Sequence, residues 1–290
     1  MDQLSTSAVA AALEVCRQHG VICSEPELLK DGANVLVYLR PAPVVARVAT
    51  TTALVRHPAS DWLARDLAMA RFLAAKGVPV VAPSAELPAG PHQKDGFALS
   101  FWEYVEHDRG YVASVDQAGG MLRELHAALR AGGTELELPW MGPLGEIPGW
   151  IDWLEERNLL PVEDCSMLRR SQAALVERVQ AAGEGQQALH GDAHLGNLLK
   201  TPHGLLWGDF EDACFGPPSW DLACFAWTAR DGVDEVLRSY GGNLSRADLA
   251  PFLEVRELEA VVWYQVLVTR FADRRERAGA ILRSWRERFA

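Results

Sequence analysis

The chain has 290 residues, 49% of them hydrophobic and 23% charged, a balance that fits an ordinary soluble protein of one large domain or two lobes. Its formal net charge of -11 argues against a nucleic-acid partner, whose phosphates would be repelled, and suits a cationic small molecule. No apolar run approaches the ~20 residues of a membrane span, the N-terminus lacks a basic-then-apolar signal pattern, and the five cysteines never fall in C-x-x-C, so no membrane partner and a cytoplasmic location with reduced thiols are expected.

In chain order, Ser5 to His19 carries Ala8, Ala12, Leu13 and Cys16 at helical spacing, with Gly20 placed as a C-cap. From Glu27 to Ala49 the pattern changes to strands, at Asn34 to Leu39 and Val44 to Ala49, with a turn over Lys30 to Asn34 before the second. Arg47 sits in the middle of the apolar strand Val44 to Ala49. A charge there needs a partner or a ligand, unless the strand is an edge with the arginine exposed. Trp62, Asp66, Met69 and Leu73 form one helical stripe, and a carboxylate inside it is costly unless paired. Gly77 to Pro83 ends that helix and leads to a further strand.

Phe97 to Val105 reads as another strand, running into the polar break Glu106 to Gly110. Ser114 to Gln117 fits a capping box and opens a helix with Ala118, Leu122, Leu125 and Leu129 on one face. His126, beside Leu125, suits a buried, hydrogen-bonded histidine. Gly132 to Gly149 reads as a loop, and Trp150 to Leu160 and Asp164 to Ala182 as helices. Further helices are expected at Leu222 to Ala229, at Val233 to Tyr240, from a Ser245 cap through Phe271, and as a solvated helix from Arg274 to Arg288.

The most informative stretch is Ala188 to Leu222, ALHGDAHLGNLLKTPHGLLWGDFEDACFGPPSWDL. Two strand-like pieces, Leu198 to Lys200 and Leu205 to Trp207, flank the turn signal Thr201-Pro202-His203-Gly204. A hairpin of that length brings Asn197 and Asp209 to the same end of the ribbon, where two hard oxygen ligands could share a cation such as Mg²⁺. His190 suits a structural role, and Asp221 either caps the following helix or braces the loop. A rival reading takes the alternation of His190, Asp192 and His194 as one face of a strand holding a metal. It leaves Asn197, the hairpin and Asp209 without a role.

HGDAHLGNLL followed by WGDFEDACFGPPSWDLA resembles the signature of the aminoglycoside phosphotransferase and choline kinase superfamily, small-molecule relatives of the protein kinases. The resemblance implies an α+β chain with the bilobal protein-kinase-like fold, a small antiparallel-sheet N-lobe over 1–102 and a larger, mostly helical C-lobe over 103–290. It implies ATP and Mg²⁺ as cofactors and, as acceptor, a hydroxyl of a small, often cationic molecule, with an aminoglycoside-type antibiotic as the first candidate. Choline, another amine or a metabolic sugar is the alternative, as is a nucleotide-binding protein without catalysis, working as monomer or homodimer. In this likeness Asp192 is the catalytic base and Asn197 and Asp209 are the metal ligands. Arg47 contacts the α- and β-phosphates and pairs with Asp66, where the family usually carries the longer Glu. The turn with Gly32 and Asn34 covers the phosphates. The backbone at Glu103 and Val105, in an interlobe hinge from Trp102 to Val105, reads the adenine; by pattern alone that segment also fits an ordinary core strand. Asp209 is followed by Phe210-Glu211 with no glycine, unlike protein kinases. Because ATP is an anion, its site must be locally positive within an acidic chain.

Overall fold

A computed structural model describes residues 2–132, 135–182, 185–229 and 232–289. The chain divides into two compact units, Met1–Ala113 with Gly196–Asp212, and Ser114–Leu195 with Ala213–Ala290. That division differs from the expected 1–102 and 103–290. The reason is a returning hairpin that pairs with the first unit.

The first unit is built on a five-stranded antiparallel sheet of order β1-β2-β3-β5-β4, from Cys23–Asp31 (β1), Asn34–Pro41 (β2), Val44–Ala49 (β3), His92–Lys94 (β4) and Phe97–Glu103 (β5). Strand side chains alternate between faces. Val35, Val37 and Leu39 of β2, Val44, Ala46 and Val48 of β3, and Leu99 and Phe101 of β5 therefore form one apolar face. The helix Gln3–Gln18 (α1) covers it with Ala8, Ala12, Val15 and Cys16. Each large side chain so buried contributes about 1.5–3 kcal/mol. The same alternation turns Arg47 to the opposite face.

The helix Ser60–Ala75 (α2) packs on β5 and ends where Gly77, at φ +77, donates to Ala74 while Val78 donates to Leu73. The strand expected after Gly77 reduces to isolated bridges, Val80 with Trp207 and Pro83 with Trp102. Pro79 and Pro83 have no N–H to extend a ladder. The fifth strand is instead the short polar edge His92–Lys94, which no apolar pattern announces. Leu198–Thr201 (β7) and Gly204–Trp207 (β8) form the expected hairpin, with Thr201 opposite Gly204 and Leu198 opposite Trp207. Trp207 exchanges backbone bonds with Pro79 and Val81, and Lys200 accepts from Asp108, which ties the hairpin to the first unit.

In the second unit the strands Gln187–Leu189 (β6) and Cys214–Gly216 (β9) pair antiparallel among helices. The helix Val115–Gly132 (α3) starts with the expected capping box, Ser114 Oγ accepting from Gln117 N–H and Gln117 Oε1 from Ser114 N–H. The loop expected over Gly132 to Gly149 is shorter, because a helix runs over Gly142–Glu156 (α4). Pro143 sits in its first turn, where no N–H is needed, and Leu144, Ile147, Ile151 and Leu154 supply a buried stripe that outweighs Gly145, Pro148 and Gly149. The helices Val162–Ala181 (α5), Ser219–Thr228 (α6), Val233–Tyr240 (α7), Arg246–Leu267 (α8) and Arg275–Phe289 (α9) complete the unit. Ser245 and Asp248 cap α8 reciprocally. The last helix is only partly solvated. Ala278, Leu282 and Trp285 are buried, and the Trp285 indole donates to Ser171.

Candidate active site

In the first unit Arg47 is the hub. Its side chain is 9% exposed; Nη1 lies 3.1 Å from Asp66 Oδ2, and Nη2 lies 2.5 Å from Asp209 Oδ1 and 2.9 Å from Glu211 Oε2. The other oxygen of Asp66 accepts from Phe210 N–H at 2.9 Å, which fixes the backbone after Asp209. Asp209 itself adopts a left-handed φ of +68. A second buried arginine, Arg56, pairs with Glu211 and Asp212, and its guanidinium lies 5.5 Å from the Trp62 ring centre. Arg65 donates to the Glu211 carbonyl from the same side of α2.

The charges do not balance. Two guanidinium groups, Arg47 and Arg56, face four carboxylates: Asp66, Asp209, Glu211 and Asp212. Burial pushes Asp66 up to about 7 against the pull of Arg47, with Asp209 and Glu211 pushing the same way. Burial likewise raises Glu211. Burial alone would depress Arg47, but Asp209, Glu211 and Asp66 hold it well above its usual value. The cluster thus holds four carboxylates to these two arginines, and burial raises the pKa of two of the four.

The hairpin sets the next pair. Gly208 N–H donates to the Asn197 carbonyl at 3.0 Å, so Asn197 and Asp209 stand at the same end of β7 and β8. Asn197 is buried, while the Asp209 side chain is 35% exposed. Across the turn between β1 and β2, the Gly32 carbonyl accepts from Thr51 Oγ1 and the Ala33 carbonyl from Thr52 N–H. The Asn34 side chain is committed to the protein: its amide donates to Glu211 and its oxygen accepts from Thr52 Oγ1 at 2.6 Å. At the end of β5, Glu103 N–H donates to the Ala82 carbonyl and the Val105 carbonyl accepts from His107 Nδ1 at 2.8 Å.

Asp192 belongs to the second unit, so the expected trio is divided between the units. Its loop, after β6, is braced from within: Asp221 accepts from His190 N–H at 2.9 Å, Gly191 N–H at 2.8 Å and His126 Nε2 at 2.8 Å. His126 is buried and also bonds the Tyr240 hydroxyl. The Trp220 indole donates to the Gly191 carbonyl, and Gly191 takes a φ of +87 that a side chain would strain. Asp221 thus braces the loop rather than capping α6. His190, Asp192 and His194 do not lie on a strand, and no cluster of three metal-ligating side chains occurs among the described residues, which removes the rival metal reading. The Asp192 carboxylate meets Arg256 Nη2 at 2.8 Å and His194 Nε2 at 3.4 Å. Burial pulls its pKa upward, but Arg256 and then His194 outweigh it and hold the group well below the usual carboxylate range.

The sequence matches a family described as phosphotransferase enzymes over residues 25–258. The chain belongs to that family. Curated proteins yield no match. Among solved structures, this phosphotransferase is similar to a choline/ethanolamine kinase family protein from Mesorhizobium loti, with a TM-score of 0.65 and 18% identity over 98% of this chain and 94% of that one. It is similar to aminoglycoside phosphotransferase APH(3'')-Id from Streptomyces rimosus, at 0.61 and 18% over 87% and 98%. It is also similar to the amicoumacin kinase hAmiN in complex with AMP-PNP, Ca²⁺ and Ami, at 0.69 and 14% over 99% and 96%. The fold is that of these kinases, and the family match makes the protein a phosphotransferase. A divalent cation fits the first unit: Asn197 and Asp209 offer hard oxygen donors, and the surplus of carboxylates around Arg47 is the charge such an ion relieves.

Sequence reasoning missed Arg56, Glu211, Arg256 and Glu259. Glu211 was within reach, two residues after Asp209 in the motif. Arg56 follows a loop with no periodic signal. Arg256 carried a faint one, a charge four residues after the buried Phe252 on the inward face of α8. The acids Glu155, Glu156, Asp212 and Glu257 each pair with an arginine: Arg169, Arg157, Arg56 and Arg288.

Proposed function

We propose that the protein transfers the γ-phosphoryl group of ATP to a hydroxyl of a small molecule, with an aminoglycoside-type antibiotic as the first candidate acceptor. The observation that supports the reading is the Gly208-to-Asn197 backbone bond, which brings the Asn197 and Asp209 positions to the same end of a hairpin. Phosphoryl transfer is mostly positioning and charge neutralisation, so it needs these residue types and little covalent help. Asp192 accepts the proton of the attacking hydroxyl as its oxygen bonds to phosphorus and the bridging oxygen leaves with ADP. Arg47, held by Asp66, meets the α- and β-phosphates. Asn197 and Asp209 hold Mg²⁺, which when bound offsets the charge of the phosphate oxygens. The relative hAmiN holds AMP-PNP and Ca²⁺, which supports a nucleotide and a divalent ion here. The free cysteines, and the lack among the described residues of any helix long and apolar enough to cross a membrane, support a cytoplasmic location.

The test is ADP release from ATP and Mg²⁺ across a panel of aminoglycosides, amino alcohols and sugars. One class should stimulate release, and Asp192→Ala should lower that rate by about 10²–10⁴-fold while nucleotide binding and melting stay near wild type. Undiminished turnover in Asp192→Ala would remove the assignment of the base.

A further inference from the structure

Arg256 lies on α8, far along the chain from the motif that contains Asp192 and outside the two segments, between Ala188 and Ala223, that carry the resemblance. Its Nη2 lies 2.8 Å from Asp192 Oδ1 and its Nη1 2.6 Å from Glu259 Oε2. The three side chains are 15%, 20% and 10% exposed. A guanidinium held this far from water persists only when matched by charge and geometry. Here two carboxylates share it, one from the catalytic loop and one from the next turn of its own helix. Other titratable groups around Asp192 include His194, 3.4 Å from Oδ2, His190, whose Nδ1 faces the Asp192 N–H at 3.4 Å, and Cys224 on α6, whose thiol donates to the Gly191 carbonyl.

The torsion that turns a carboxylate about its own axis is broad, so an aspartate alone does not fix which oxygen it presents. An ion pair to one oxygen removes that freedom and orients the other. A base must stand about 2.6–3.2 Å from the proton it takes. Resting on the reading of Asp192 as that base, we propose that Arg256 is a positioning residue for phosphoryl transfer: it fixes the Asp192 carboxylate and supplies its counter-charge, and Glu259 in turn fixes Arg256. A loose transition state asks for an oriented hydroxyl more than for a strong base, so a carboxylate held ionised by an arginine suits the step.

The experiment compares Arg256→Gln, Arg256→Lys and the charge-balanced double variant Arg256→Gln/Glu259→Gln. Removing Arg256 alone strands Glu259 and can unfold the site; the double variant removes both charges and should melt near wild type. The readout is ADP release from ATP and Mg²⁺, with water, kanamycin, choline and ribose as acceptors, using whichever gives the highest rate. In the double variant kcat should fall about 30–100-fold, the cost of a misplaced group, with KM for ATP unchanged. The acid limb of its pH profile should move upward, because Asp192 without its cation keeps its proton to higher pH. Arg256→Lys should return the acid limb but not kcat, since an ammonium restores charge without the planar fork. A double variant with wild-type kcat and an unshifted acid limb overturns the proposal. Asp192→Ala is assayed alongside: normal turnover there removes the base itself, whereas a dead Asp192→Ala beside a wild-type-like double variant removes only the role of Arg256.

Discussion

Arg47 and Asp66 meet directly, Nη1 to Oδ2 at 3.1 Å, although an aspartate has a short reach from its helix. Asp66 reaches because its second oxygen is drawn to Phe210 N–H, so α2 clamps the strand arginine and the Asp209 segment together. Arg47→Met should leave Asp66, Asp209 and Glu211 facing one another without their shared cation. We expect a loss of about 3–5 kcal/mol, read from the shift of the urea midpoint at unchanged slope. A shift below about 1 kcal/mol would mean that the three carboxylates are neutralised in some other way.

Asp209→Asn separates metal binding from stability, because the two should move in opposite directions. The cluster holds more carboxylates than arginines, so removing one charge should leave the melting temperature in chelator-treated buffer equal or higher. The Mg²⁺ concentration for half-maximal ADP release should rise by about 10–100-fold or activity should vanish. An unchanged Mg²⁺ requirement contradicts the ligand role of Asp209.

Asp221→Asn tests the brace under the catalytic loop. The fully buried carboxylate accepts from two backbone amides and one imidazole, and an amide in its place turns a donor toward donors. A loss of about 2–3 kcal/mol is expected, together with slower transfer, since the same amides hold the backbone just before Asp192. Equilibrium unfolding and kcat should fall together; a variant losing neither would show that the loop holds itself.

Gly119→Ala reverses the usual sign of a helical glycine substitution, which normally gains up to about 1 kcal/mol. A methyl on Gly119 in α3 would stand 2.7 Å from the Ser239 Cβ and 2.8 Å from its backbone carbonyl carbon in α7. We expect about 1–3 kcal/mol of destabilisation by thermal unfolding. Adding Ser239→Gly should recover only part, because the backbone carbon remains.

Much of the fold was legible because its signals are local. The strand Val44–Ala49, the capping boxes at Ser114 and Ser245, and the hairpin turn at Thr201 to Gly204 depend on neighbours a few residues apart. The exceptions were elements whose partners lie elsewhere. The helix Gly142–Glu156 forms through glycines and prolines because a buried stripe holds it, and His92–Lys94 becomes a strand only because β5 offers an open edge.

By itself the sequence determined the spacing of Asp192, Asn197 and Asp209, and so the hairpin that joins the last two, since a ribbon of fixed length admits one register. It also marked Arg47 and Asp66 as charges in apolar patterns, which need partners wherever they are buried. The family resemblance already paired Arg47 with Asp66; the tertiary structure alone added Asp209 and Glu211 around Arg47, and Arg256 with Glu259 beside Asp192. The physical reason is that an ion pair has no period along the chain. Coulomb attraction depends on distance in space, and helices packed by their apolar faces bring together charges that no local pattern connects.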